Sequence, residues 1–174
     1  MIKYIFKNIW LLFAVILPSN GQEFIDKIVD NRPSNTWHAI YGVGLPNLTY
    51  VGLKNQMNEK SSIDLTYGFL PLKAGIAKFN MHSLASEYNY YLSPKESNSF
   101  FICGSISVSN FASNSVDGSY LVYSVSPQLG FEHINEESHN FYSIRLGFLK
   151  AYSSIASPLN MFCGGIGFGF QIGK

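Results

Sequence analysis

Between residues 61 and 70 the chain reads SSIDLTYGFL, and its side chains sort by parity. Ile63, Leu65, Tyr67 and Phe69 fall on one face of an extended chain, and Ser62, Asp64, Thr66 and Gly68 on the other. Successive side chains of a strand point to opposite sides, so this alternation predicts a strand with one apolar and one polar or small face. The pattern recurs. Phe100, Ile102, Ile106 and Val108 oppose Phe101, Cys103, Ser105, Ser107 and Ser109. Leu121, Tyr123, Val125, Leu129 and Phe131 oppose Tyr120, Val122, Ser124, Ser126 and Gln128. Tyr142, Ile144, Leu146 and Phe148 oppose Ser143, Arg145 and Gly147. The chain closes on MFCGGIGFGFQIGK, where Phe162, Ile166, Phe168, Phe170 and Ile172 alternate with Cys163, Gly165, Gly167, Gly169 and Gln171.

Eight strands are predicted, at about 36–44, 48–56, 61–70, 80–92, 98–110, 119–132, 141–153 and 161–172. Turn-forming residues separate them: Leu45-Pro46-Asn47, Asn58-Glu59-Lys60, 71–78, Ser93-Pro94-Lys95, 114–118, Asn135-Glu136-Glu137 and Ser157-Pro158. Most reach the roughly 9–11 residues that a tilted membrane-crossing strand needs.

A soluble ligand-binding barrel turns its large apolar side chains inward; a membrane barrel turns them outward and keeps polar or small residues inside. The second face here is Gly, Ser, Thr and a few charges. Eight strands enclose a space only wide enough for side chains to fill, which favours small inner residues. An even strand count also closes the sheet, leaving no edge for a bilayer that has no water to bond it. The expected fold is all-β, a single eight-stranded antiparallel up-and-down transmembrane β-barrel. Trp37, Tyr90, Phe131 and Tyr142 at one end and Phe69, Tyr152 and Phe162 at the other suggest aromatic girdles. Pro127 falls inside the sixth strand, where it predicts a bulge or kink. Lys150 shares the apolar face of the seventh strand near its outer end, from which it reaches headgroup phosphates.

The first residues, MIKYIFKNIWLLFAVILPSNGQ, place two lysines before an uncharged run and small residues before Gln22, the layout of a cleaved signal peptide. The run is too short to be an uncleaved anchor. Residues 1–21 are therefore read as the signal, 22–35 as a periplasmic lead segment and 36–174 as the barrel. A net charge of +1 gives no reason to expect nucleic-acid binding. Cys103 and Cys163 are able to pair in an exported chain, but two unpaired small strand residues is the preferred reading.

Parity places Lys54, Asp64, Glu87, Asn89, Gln128 and Arg145 on the inner face. A hairpin turning near 59 puts Lys54 across from Asp64. Glu87 and Arg145 lie at similar heights three strands apart, so only long side chains bridge them. A charge in a packed lumen is costly unless paired, so these four charges are expected to form a structural network that fills the barrel; a gate or narrow proton path is the alternative. The histidines His38, His82, His133 and His139 show no metal-ligand spacing. His82 and Ser83 are neighbours on a strand and face opposite ways. His82 and Ser86 share a face but stand roughly 13 Å apart, too far for a nucleophile and its base. GGIGFG ends the chain with no helix after it and is no phosphate loop. No catalytic, cofactor or metal residue is assigned.

The stretches GVGLPNLTYVGLKNQ, SIDLTYGFLP, SEYNYYL and GGIGFGF resemble the small outer-membrane β-barrel proteins of Gram-negative bacteria, nearest to exported eight-stranded barrels of the Bacteroidetes. The resemblance implies insertion by the outer-membrane assembly machinery, which reads a last strand usually ending on an aromatic residue; here the last aromatic is Phe170, with Gln171-Ile172-Gly173-Lys174 after it. The expected protein is a monomeric, non-enzymatic outer-membrane barrel with a structural or surface-contact role. Its expected partners are outer-membrane lipid, lipopolysaccharide and that machinery. A narrow passive pore and a secreted soluble barrel binding an apolar ligand are the alternatives.

Overall fold

The computed structural model describes residues 34–74, 77–93, 97–113, 116–135, 137–153 and 157–172, so the expected signal peptide and most of the lead segment lie outside the described residues. Eight strands form: β1 (Thr36–Gly44), β2 (Leu48–Asn58), β3 (Ser61–Ala74), β4 (Ala77–Tyr91), β5 (Asn98–Ser113), β6 (Val116–Ile134), β7 (Phe141–Ser153) and β8 (Leu159–Ile172). Each pairs antiparallel with the next, and β1 pairs antiparallel with β8 to close the barrel. The end at which β1 starts is termed the near end, and the end carrying the β1–β2 connection the far end.

The alternation becomes an inside-out molecule. Ile106 is 63% exposed and Leu146 70%, whereas Glu87 and Glu132 are 1% exposed. Outward apolar side chains run around the wall, among them Leu53, Leu65, Leu84, Val125, Ile144 and Ile166. Tyr88, Tyr90, Trp37 and Tyr142 are exposed toward the near end, and Phe69, Tyr152 and Phe162 toward the far end. Lys150 is exposed and lies over the Tyr152 ring, 5.4 Å from its centre.

The inner glycines make room for rings. A Cβ on Gly169 would overlap Phe141, and one on Gly130 would overlap Phe101. Gly42 and Gly167 flank the Tyr50 phenol, where a Cβ would come within 2.5 Å and 2.7 Å of Oη. The glycine-rich face of β8 is therefore one half of a small-against-large packing whose other half comes from β7 and β2.

Two turn predictions are corrected. Residues 71–78 and 114–118 were expected to be connections, yet β3 and β4 pair through Ala74↔Ala77, and β5 and β6 through Ser113↔Val116. Pro71 falls where β3 pairs only with β4, the ladder with β2 having ended at Thr49↔Phe69, and such edge positions are where a sheet accepts proline. Pro127 produces no bulge. Val125↔Lys150 and Gln128↔Gly147 keep one register, with Ser126 and Pro127 unpaired to β7 between them. Gly147 lets the Pro127 carbonyl approach, where a Cβ would clash.

Candidate functional site

The lumen has two zones. The near zone is polar and closed. Lys54 enters it from β2 and is the Cα partner of Asp64, as the turn symmetry requires. Its ammonium nevertheless extends past Asp64 and donates to Glu132 Oε2 at 2.5 Å and to Tyr91 Oη at 2.6 Å. Strands β2 and β6 are four apart in a ring of eight, so this pair spans the lumen. Nζ also lies 4.1 Å from the centre of the Phe141 ring, in cation–π contact. Asp64 receives neutral donors instead, Asn89 Nδ2 at 3.1 Å and Ser62 Oγ at 3.4 Å. The expected nearest pair, Lys54 with Asp64, is thus corrected to Lys54 with Glu132. A lysine stem is long enough to reach the opposite wall, where the Glu132 carboxylate and the Tyr91 hydroxyl accept its hydrogen bonds.

Glu87 and Arg145 do meet across three strands, through a direct ion pair from Arg145 Nη1 to Glu87 Oε2. Arg145 Nη2 donates to Tyr50 Oη at 2.9 Å, and the guanidinium lies 5.3 Å from the centre of that ring. Asn47 Nδ2 donates to Glu87 Oε1 at 3.3 Å and to Thr66 Oγ1 at 2.9 Å. Asn47 belongs to the β1–β2 connection, which therefore folds into the barrel; Asn47 is 1% exposed, and Leu45 N–H bonds the Gly164 carbonyl at 2.9 Å. Gly68 is required beneath this connection, because a Cβ there would overlap the Asn47 carbonyl. Each carboxylate is satisfied by cationic or neutral donors, the condition for burying charge without a large penalty.

A layer of short side chains lies above the charges. Ser107 and Ser124 hydroxyls bond at 2.6 Å, Ser126 Oγ meets Cys163 Sγ at 3.0 Å, and Gln128 Nε2 donates to Ser126 Oγ at 2.9 Å. Cys103 and Cys163 are free and buried.

Above that layer the inner face changes character. Leu70, Met81, Phe111, Val122, Leu149 and Met161 surround a basin of about 520 Å³ in the far half of the barrel, with Leu45 and Pro46 forming part of its wall. The expectation that side chains fill the whole lumen therefore holds only in the near zone. Among the described residues a far-end inner row of large apolar side chains lines a wall, and the short β1–β2 connection entering from one side does not fill the space it leaves.

Sequence reasoning missed Glu132, Tyr91, Tyr50 and Asn47. Glu132 shares parity with Gln128 and was findable; it fell on the last residue of the predicted sixth strand. Tyr91 and Tyr50 were obscured because aromatics in this chain mostly face outward. Nothing local marks Asn47 as entering the lumen, since a Leu-Pro-Asn turn is compatible with any exposed loop.

His82 is exposed and shares a 2.5 Å hydrogen bond with Tyr67 Oη, while Ser83 is buried on the lumen side, so the two face opposite ways. Among the described residues no group of three or more His, Cys, Asp or Glu is placed to hold a metal ion.

No family model matches the chain, and no curated protein matches it. Among solved structures it is similar to the N-terminal β-barrel domain of Pseudomonas aeruginosa OprF, at 13% identity and a TM-score of 0.47, over 80% of this chain and 98% of that one. It is also similar to Acinetobacter baumannii CarO, at 13% identity and 0.42, over 79% and 97%, and to CarO2 of the same organism, at 10% and 0.40, over 79% and 98%.

Proposed function

We propose that this chain is an integral β-barrel of a bacterial outer membrane. Residues 1–21 act as a cleaved export signal and 22–35 as a periplasmic lead. The assembly machinery inserts the barrel, which stays monomeric among lipid and lipopolysaccharide. Its role is structural or a surface contact, without catalysis. The observation that carries this reading is the inverted distribution of side chains. A belt of Leu, Ile, Val and aromatic residues faces outward on every strand, while ion pairs lie inside. In water such a belt greatly exceeds the apolar patch of roughly 300–600 Å² usual for a soluble monomer, and it weighs against the secreted soluble barrel. In a bilayer it is the required surface, and the ladder closed through β1 and β8 leaves unpaired edges only at the far ends of strands such as β3 and β6.

The passive pore is disfavoured by the near zone. Lys54–Glu132 and Arg145–Glu87 cross the lumen there with their hydrogen-bond partners packed around them. The test is fractionation of cells expressing the full chain. The protein should remain with membranes through an alkaline carbonate wash and migrate faster on a gel when unheated than when boiled. Release into the soluble fraction with unchanged mobility would reject the reading.

A further inference from the structure

We infer that the far-end basin is a binding site for a single hydrocarbon chain, such as that of a fatty acid or a lipid tail. Its volume of about 520 Å³ lies within the roughly 300–1,000 Å³ usual for small-ligand sites. Its wall is apolar from several strands at once: Leu70 from β3, Met81 from β4, Phe111 from β5, Val122 from β6, Leu149 from β7 and Met161 from β8. This is an inversion within the inversion. The same inner parity carries Asp64, Glu87 and Arg145 in the near zone, where it builds ion pairs.

The chemistry of the lining selects the ligand class. The lining also carries the hydroxyls of Ser109, Tyr120 and Ser124, far fewer than the amide groups a peptide segment would bring, at a cost of a few kcal/mol for each one left unbonded. A hydrocarbon chain brings none. The two methionines adapt their shape readily, which suits a chain of variable length and curvature. The basin is blind. Ser124, which lines it, is bonded to Ser107, and the charge network closes the lumen below. A chain therefore enters tail first, and a polar head stays at the rim, where Ser153 and Ser157 join the lining.

The site is independent of whether the barrel has any transport role, but the lipid-tail source rests on the membrane reading above. The test uses the full barrel in lipid nanodiscs, with Trp37→Phe to remove the outward tryptophan and Tyr120→Trp to place a reporter in the basin wall. In one arm a fatty acid brominated near its tail is added to discs of ordinary lipid. In the other the discs themselves are made of tail-brominated phospholipid. Saturable quenching is expected in at least one arm. Quenching by the added acid alone assigns a free acid, and quenching by the phospholipid alone assigns a lipid tail. Apparent affinity for the added acid should tighten roughly fourfold per methylene until the basin is full. Ala151→Phe, which fills the basin from β7, should weaken or abolish the quenching at least tenfold while the heat-dependent gel shift persists. Absence of quenching in both arms, or quenching that survives Ala151→Phe, overturns the proposal. If the gel shift itself is missing, the membrane reading fails; saturable quenching of a detergent-free soluble form would then still support the basin.

Discussion

Lys54 shows how far residue-level reasoning carries in this chain. Parity and turn symmetry place it opposite Asp64, and the register agrees. Neither gives the direction of a four-carbon stem, and its ammonium lies on Glu132. Removing one member leaves a buried charge unpaired, so Lys54→Met or Glu132→Leu should each destabilise the barrel by about 3–5 kcal/mol, and the double substitution by less than the two together. Coupling of Lys54 to Asp64 should be smaller than to Glu132. Equilibrium unfolding of the four proteins of each cycle in lipid vesicles measures both. The glycines give a second prediction at this scale. Gly169→Val drives a branched side chain into Phe141 and should cost about 1–3 kcal/mol or more. Gly104→Val should cost much less, because no atom lies within 4 Å of a Cβ there. The sequence announces that the inner face of β8 is small; only the structure says that Phe141 and Tyr50 are what it is small for.

At the scale of elements the alternation was sufficient. β1 and β7 match their predicted spans, and every inner and outer row of β3, β5, β6, β7 and β8 keeps its side. What failed were the punctuation marks. Pro71 read as the start of a turn that comes only after Ala74, and Pro127 as a bulge or kink. A proline, however, disturbs a sheet only where its missing N–H would have had a partner. Pro71 lies past the end of its β2 ladder, and Pro127 lies where the β6–β7 ladder is interrupted. Sequence alone does not say which neighbours a strand has at each height, and so cannot tell these prolines from disruptive ones. The outward rows carry their own test. Leu65→Arg, Ile106→Arg and Ile144→Arg should each cost about 2–4 kcal/mol in vesicles where the site lies near the bilayer midplane. An arginine at Ser105, which is buried on the inner side, should fail instead by crowding. If the outward arginines leave unfolding unchanged, the apolar row is not in lipid.

For the whole molecule, the two zones of the lumen make it a barrel closed at one end and hollow at the other. Planar bilayers containing the purified protein should show no steady single-channel conductance. Steady openings, together with near-neutral effects of Lys54→Met and Glu132→Leu, would mean that the charges are hydrated and the near zone is a pore. Terminal sequencing of protein recovered from the native membrane should begin near Gln22; a start at Met1 would remove the export step. Site-directed spin labelling reads whether the apolar rows face hydrocarbon. Labels placed singly at Ile63, Leu65, Tyr67 and Phe69 of β3, with Cys103 and Cys163 changed to serine, should collide freely with oxygen and hardly at all with a water-soluble nickel chelate, most strongly so at the central positions. Free collision with the nickel chelate along this row would place it in water and not in a bilayer.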